Sequence, residues 1–174
     1  MSETQGSTGR ASGSDSYVVF ELAGGTYAIR SDDIQQLDMV GVPTPVPHAP
    51  SYVEGVVSIR GTVIPAINLR KRFGFAAVPH DPRTRLIVVR ALGRIVGLIV
   101  DSAREFASIP SDAIVPLPEG IADTTGRYLR GVAHRGERLM LMVDLAELLA
   151  NDAVDADPAP DEAALEPLAA GASK

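Results

Sequence analysis

The side chains that could do chemistry are few and scattered. His48, His80 and His134 are the only histidines, and each sits in a different Pro/Gly-rich or turn-like stretch. No His-x3-His spacing joins any two of them, so they read as surface-loop histidines rather than as metal ligands or a general base. The chain has no cysteine, which removes disulfides, thiolate metal sites and cysteine nucleophiles together and suits a reducing compartment. Asp32 and Asp33 are adjacent carboxylates, but neighbours on a helix do not face each other, and both suit a helix's first turn. Gly24-Gly25 lacks the following helix and lysine of a phosphate loop and reads as a hairpin turn. This inventory points away from an enzyme, and it offers no cofactor or metal site.

The elements that must position these residues are short. Apolar runs broken by turn signals describe many brief strands. Tyr17–Leu22 and Thr26–Ile29 flank Ala23-Gly24-Gly25. Leu86–Ala91 and Arg94–Val100 flank Leu92-Gly93, and Val56–Ile59 and Val63–Ile67 flank Arg60-Gly61. Leu139–Val143 follows Arg135-Gly136, and its Leu139, Leu141 and Val143 alternate as core positions. Pro65 marks its strand as an edge or a bulge. Helical signals are few. Ser31 before Asp32, Asp33, Ile34 and Leu37 predicts a capped helix, and Ser102 with Glu105 fits a capping box. Asp144 with Glu147 fits another, and Asn68 caps a turn at Leu69–Phe73 that Gly74 stops.

Gly55-Val56, Arg60-Gly61 and Asn68-Leu69 recur as Gly131-Val132, Arg135-Gly136 and Asp144-Leu145, with equal spacing from first glycine to cap. The Arg-Gly turn falls one residue earlier in the second copy. Each copy follows a hairpin and a predicted short helix, at 17–40 and at 86–107. A duplicated strand-rich unit predicts two small barrels in one chain.

Arg60 stands at a tight turn between two apolar strands, with Gly61 as the expected positive-φ residue. It can spread its stem over the barrel and bond loop carbonyls, or offer its planar fork to a partner's carboxylate. Its repeat mate Arg135 reads as the former.

VPHAPSYVEGVVSIRGTVIPAINLRKRFG, at 46–74, closely resembles the signature region of CheW-like domains, with its Pro-x-Ala-Pro lead-in, Gly-Val strand, Arg-Gly turn and LRKRFG end. IVGLIVDSAREFASIPSDAIVPLP and YLRGVAHRGERLMLMVDLAELL resemble two further blocks of that family, in the right order. The likeness covers essentially 17–150. It implies an all-β fold of two small SH3-like five-stranded β-barrels packed together with a few short helices. It implies no catalysis and no cofactor, and a scaffold joining the cytoplasmic tip of chemoreceptors to the regulatory domain of a CheA-type histidine kinase. It also turns Arg60 towards partner contact and places Ile34, Leu37 and Ile59 beside it as an apolar docking strip, suited to a helical hairpin, with Gln36 at the partner surface. Asn68 stands where the family most often has Asp, Ser58-Ile59 where Asn-Leu is usual, and Gln36 where some members carry Glu. The last bears on partner choice rather than fold.

Charge bounds the partners. The net −6 of the chain resides in its ends. Residues 151–174 carry Asp152, Asp155, Asp157, Asp161, Glu162 and Glu166 against Lys174, while 17–150 hold as many basic as acidic residues. A neutral folded part disfavours nucleic acid. Residues 1–16 and the Ala/Pro/Asp-rich 151–174 are expected to be disordered tails around a domain at 17–150, with a boundary between its halves near 75–85 and terminal strands able to cross. The sequence contains no apolar run of membrane-spanning length, and a cytoplasmic, receptor-array-associated protein is expected. A CheW-like adaptor of a non-chemotactic array is the alternative; a small-molecule sensor lacks a convergent polar cluster.

Overall fold

The computed structural model describes residues 13–120 and 126–150. Ser14–Ser16, placed by sequence in the leading tail, instead begin the first strand; the expected tail at 151–174 lies outside the described residues. The order is β1 (Ser14–Leu22), β2 (Gly25–Arg30), β3 (Ile34–Met39), β4 (Val53–Ile59), β5 (Thr62–Asn68), α1 (Leu69–Arg72), β6 (Arg85–Ala91) and β7 (Arg94–Val100). It continues with β8 (Ser102–Pro110), β9 (Ile114–Val115), β10 (Leu129–Arg135), β11 (Arg138–Val143) and α2 (Leu145–Ala150).

Three of the predicted hairpins close through two-residue turns, Ala23-Gly24, Arg60-Gly61 and Leu92-Gly93, in which both residues have positive φ. Such turns match the right-handed twist of the strands they join. The fourth turn is Gly136-Glu137, between the paired Arg135 and Arg138. The apparent one-residue offset of the repeat is therefore real: Arg60 is in its turn, whereas Arg135 ends a strand.

The strands form two sheets, ordered β8-β1-β2-β11-β10-β9 and β3-β6-β7-β5-β4, each curled as an SH3-like barrel. We call the first the terminal barrel and the second the central barrel. The division in space does not fall at 75–85. The central barrel is 34–100, and the terminal barrel is built from 14–30 with 102–143. Each repeat lends its opening hairpin to the other, β1–β2 pairing parallel with β11 and β6–β7 parallel with β5. The two-residue β9, paired at Val115↔Val132, corresponds to the isolated bridge Thr44↔Val56 in the other copy.

The duplication extends to detail. The Asn68 N–H donates to the Tyr52 carbonyl and the Asp144 N–H to the Tyr128 carbonyl, both at 2.7 Å. A Cβ on Gly55 would strike the Thr44 carbonyl and one on Gly131 the Val115 carbonyl, so both glycines admit a crossing strand at close range. Both cap expectations at the ends of the copies hold. Lys71 N donates to Asn68 Oδ1 at 3.1 Å and Glu147 N to Asp144 Oδ1 at 3.0 Å.

Four expectations need correction. Ser31–Asp33 is one 3₁₀ turn without a side-chain cap, and Ile34–Leu37 is strand, not helix. The Ser31 hydroxyl donates to the Ser16 carbonyl instead, and the segment pairs with β6 through Ile34↔Val89 and Leu37↔Ile87. Ser102–Glu105 is likewise strand, pairing with β1. In both places a sheet edge needing a partner outweighs a local capping signal. Pro65 lies in β5, between β4 and β7, not on an edge. It faces Val56, whose backbone groups are spent on Thr44, and pairing with β7 starts only at Ala66, so no ladder bond is lost. Finally, Leu139 is 53 % exposed while Met140 and Met142 are buried. β11 is covered on both faces, its methionines filling the terminal barrel and Leu141 and Val143 packing between the barrels.

That inter-barrel core is the largest cluster, drawing Phe20, Tyr27, Ile67, Phe73, Leu98, Tyr128 and Leu148 from both sheets and both helices. Phe20, Tyr27, Phe73 and Tyr128 form a run of rings with centroids 5.6–5.7 Å apart. The Arg72 guanidinium lies over the rings of both Tyr52 and Tyr128, at 4.6 and 4.7 Å, joining the repeat-mate tyrosines. Asp101, the single residue between β7 and β8, takes a forked pair of bonds from Arg70 at 2.9 and 2.7 Å and a third from the Ala23 N–H.

Two predictions follow from these contacts. Burial acts to raise the Asp101 pKa, but the Arg70 and Ala23 hydrogen bonds and the arginine charge outweigh it and hold the carboxyl below its usual range. Its contribution is complete above the unfolded value of about 3.9 and is lost as pH falls through the depressed native value. Asp101→Asn should cost about 2 kcal/mol in urea unfolding at pH 7, below the value for a fully buried pair because the carboxylate keeps 25 % exposure. The difference from wild type should shrink in strong acid. At α1, buried Asn68 also donates to the Glu54 carboxylate. Asn68→Asp should keep the cap yet set two carboxylates together, costing about 1–2 kcal/mol at pH 7 and less as pH is lowered.

Candidate functional site

Arg60 and Gly61 form the β4–β5 turn at one end of the central barrel, with Arg60 φ at 51°. A left-handed non-glycine residue costs about 1–2 kcal/mol, and the Arg60 side chain is exposed. Its guanidinium has no hydrogen-bond or ion-pair partner among the described residues. Beside it runs a groove of about 220 Å³ whose walls include Gln36 of β3, Ile59 and Thr62 of the hairpin, Ile64, Val88 and Ile95. Ile59 and Ile95 are half-buried against the core of the central barrel formed by Ile64, Ala66, Leu86, Val88 and Ile99. Gln36 Nε2 donates to Asp38 Oδ2 at 3.0 Å, and Asp38 also accepts from the Met39 N–H. The result is a trough of mixed lining, with Ile59, Ile64, Val88 and Ile95 set among Gln35, Gln36 and Thr62 and the Arg60 guanidinium at its lip. No nucleophile or base lines it.

The structure thus brings together Gln36, Ile59 and Arg60. It does not place Ile34 and Leu37 in the trough: both pack, half-buried, against the inter-barrel core. A register shift between Ile34 and Gln36 helps to turn Gln36 towards the groove. Val88 and Ile95 were missed by sequence reasoning because they come from the other repeat, and only the hairpin exchange carries them there. The histidines stand apart. His48 is in an exposed positive-φ turn, His80 lies 3.3 Å from Glu54, and His134 is exposed on β10.

A second apolar surface was also missed. Phe75, Val115, Leu129, Val132, Leu139 and Leu141 line an open hollow of about 490 Å³ beside β10 and β11. Phe75, Val115 and Leu139 are 37, 50 and 53 % exposed. The alternating pattern of β11 hid it, since Leu139 has the spacing of a core residue.

A family model described as the CheW-like domain matches residues 16–153. Chemotaxis protein CheW of Klebsiella aerogenes is 30 % identical over 136 residues, 78 % of this chain and 82 % of that protein. Protein FrzA of Myxococcus xanthus is 28 % identical over 123 residues, 70 % of this chain and 76 % of its own. The crystal structure of scaffolding protein TtCheW from Thermoanaerobacter tengcongensis aligns with a TM-score of 0.70 at 30 % identity, covering 75 % of this chain and 88 % of that one.

The two settings of the candidate residues separate experimentally. Ile34→Ala and Leu37→Ala should each lower unfolding free energy by about 1–2 kcal/mol, as half-buried truncations. Arg60→Ala should leave it within about 0.5 kcal/mol of wild type in the same denaturant titrations.

Proposed function

The chain belongs to the CheW-like domain family of chemotaxis scaffold proteins, and from that premise we propose that it is a non-catalytic cytoplasmic adaptor coupling chemoreceptors to a CheA-type histidine kinase. The observation that carries this reading is the trough beside Arg60. Isoleucines and Val88 alternate in its lining with amides and a hydroxyl, its lip holds a guanidinium without a partner among the described residues, and no carboxylate, histidine or cysteine among them lines it. A surface of that kind does nothing to a small molecule but suits a protein segment with an apolar face and a carboxylate at one end. Burying the isoleucines supplies affinity, and the planar fork of Arg60 supplies direction. An amphipathic helix from a receptor tip, presenting anchors one turn apart, has this form. The kinase's regulatory domain is then held by other surfaces of the two barrels.

The turn geometry also argues for recognition. The backbone beneath Arg60 is already fixed in a tight two-residue turn, so binding need not order it as it would a flexible loop. Gln36 leaves the trough without a carboxylate of its own beside Arg60, so the guanidinium remains available to a partner's.

The test is to mix the protein with a kinase regulatory domain and a receptor-tip fragment and follow the ternary complex by analytical ultracentrifugation. Wild type should form it. Arg60→Ala and Ile59→Ala should each weaken binding of one partner by about tenfold or more, the scale of an interface hot spot. Undiminished assembly by a folded Arg60→Ala protein would remove the trough from the mechanism.

A further inference from the structure

The repeat places a second copy of the groove on the terminal barrel, with its chemistry changed. Glu105 faces Val19 across the β8–β1 ladder as Gln36 faces Val88 across β3–β6. Thr26 sits opposite Glu21 as Ile95 sits opposite Arg90. Met140 and Arg138 of β11 hold the places of Ile64 and Thr62 in β5. Val19, Thr26, Glu105, Arg138 and Met140, together with Arg135, line a groove of about 310 Å³. It runs into a hollow of about 250 Å³ that adds Glu21, Ser102, Arg83 and Arg104. Arg135 takes the place of Ile59, so two arginines stand where the central trough has an isoleucine and a threonine.

The charges there are incompletely matched. Arg135 pairs with Glu105 at 2.8 Å, both exposed, an arrangement of little net strength in water. Arg83 approaches Asp81 at 3.7 Å and acts on Asp101. Glu21 accepts from Ser102, and Glu137 lies in the adjoining turn. Arg104 and Arg138 have no ion-pair or hydrogen-bond partner among the described residues. Two free guanidinium forks and a third in an exchangeable pair form a receptor for carboxylates spaced along a chain.

We propose that the terminal-barrel groove is a second docking site, taking a segment of a partner protein that bears several carboxylates, whereas the central trough suits an apolar face with a single one. This rests on the adaptor reading for the nature of the occupant. Protein rather than nucleic acid is indicated because the folded part has no net charge to attract a phosphodiester backbone, and because Glu21 and Glu105 stand within the groove as hydrogen-bond acceptors that such a backbone, having no N–H donor, does not satisfy. Those same glutamates can accept hydrogen bonds from a peptide's amides.

The probe is a fluorescein-labelled all-glutamate peptide, followed by anisotropy at low and high salt, with single-stranded DNA of equal charge for comparison. Wild type should bind the peptide at low salt and more tightly than the DNA. Arg104→Glu/Arg138→Glu should weaken peptide binding at least about tenfold, with an unchanged thermal unfolding midpoint, and Arg60→Ala should not alter it. No peptide binding by wild type, equal loss in Arg60→Ala, or tighter binding of DNA would each overturn the proposal. In the ternary mixture the double variant should release a partner that the Arg60→Ala protein retains; retention of both partners would also count against the groove. If wild type holds neither partner, the adaptor reading fails, and the peptide titration still judges the groove by itself.

Discussion

The exchange of opening hairpins between the two repeats is the constraint on which the rest of the molecule depends. Neither barrel can be completed by the stretch of chain that begins it. β1–β2 finish a sheet whose remaining strands come after residue 101, and β6–β7 finish the sheet begun by β3–β5. The two crossings are short, a single 3₁₀ turn at Ser31–Asp33 and Asp101 alone between β7 and β8. Such tight links force the barrels face to face, and the largest apolar cluster fills the space between them rather than inside either. Stability and relative orientation therefore come from the same contacts. The aromatic run and Arg72 between Tyr52 and Tyr128 secure an arrangement that loosely tethered barrels would lack.

A fixed orientation is what an adaptor requires. Two partners held on independently tumbling domains would be linked only through effective concentration. Two held on one rigid frame are placed at a set distance and angle. The frame also explains how one ancestral groove can become two. The backbone at the close-approach glycines, the capped helices and the tyrosine carbonyl bonds is kept in both copies, because each is part of the fold. Val19, Met140, Ile64 and Val88 at the groove floors belong to the barrel cores, while the exposed side chains at the rims are free to change. In the central barrel they became isoleucines around an isolated arginine, and in the terminal barrel arginines around two glutamates.

Asn68 shows how an amide can serve as a helix cap and as a donor at once. Its carbonyl oxygen caps α1 as an aspartate would, while its amide donates to Glu54, which an aspartate could not do. The charge an aspartate would carry is thus replaced by a hydrogen bond to the neighbouring one. Gln36 is a comparable case on the surface. Its amide turns to Asp38, while the equivalent Glu105 turns to Arg135.

Local chemistry determined much of this protein without help. Glycines at two-residue turns, short alternating apolar runs and side-chain oxygens before Leu69 and Leu145 specify hairpins and caps within a few residues, and these formed as read. So did the duplication, because its markers recur at one spacing. What required tertiary structure was everything decided by a partner distant in sequence. Ser31 and Ser102 carry helix-start signals, yet their segments became strands, since an open sheet edge offers more hydrogen bonds than a single capped turn. Leu139 has a core residue's spacing but faces outward on a strand covered on both sides. Ile34 and Leu37 share a repeat with Arg60 and the resemblance places them beside it, but it is Val88 and Ile95 of the other repeat that share its groove. Periodicity tells which residues lie on one face of an element; which face meets which neighbour is settled only when the exchanged hairpins choose their sheets.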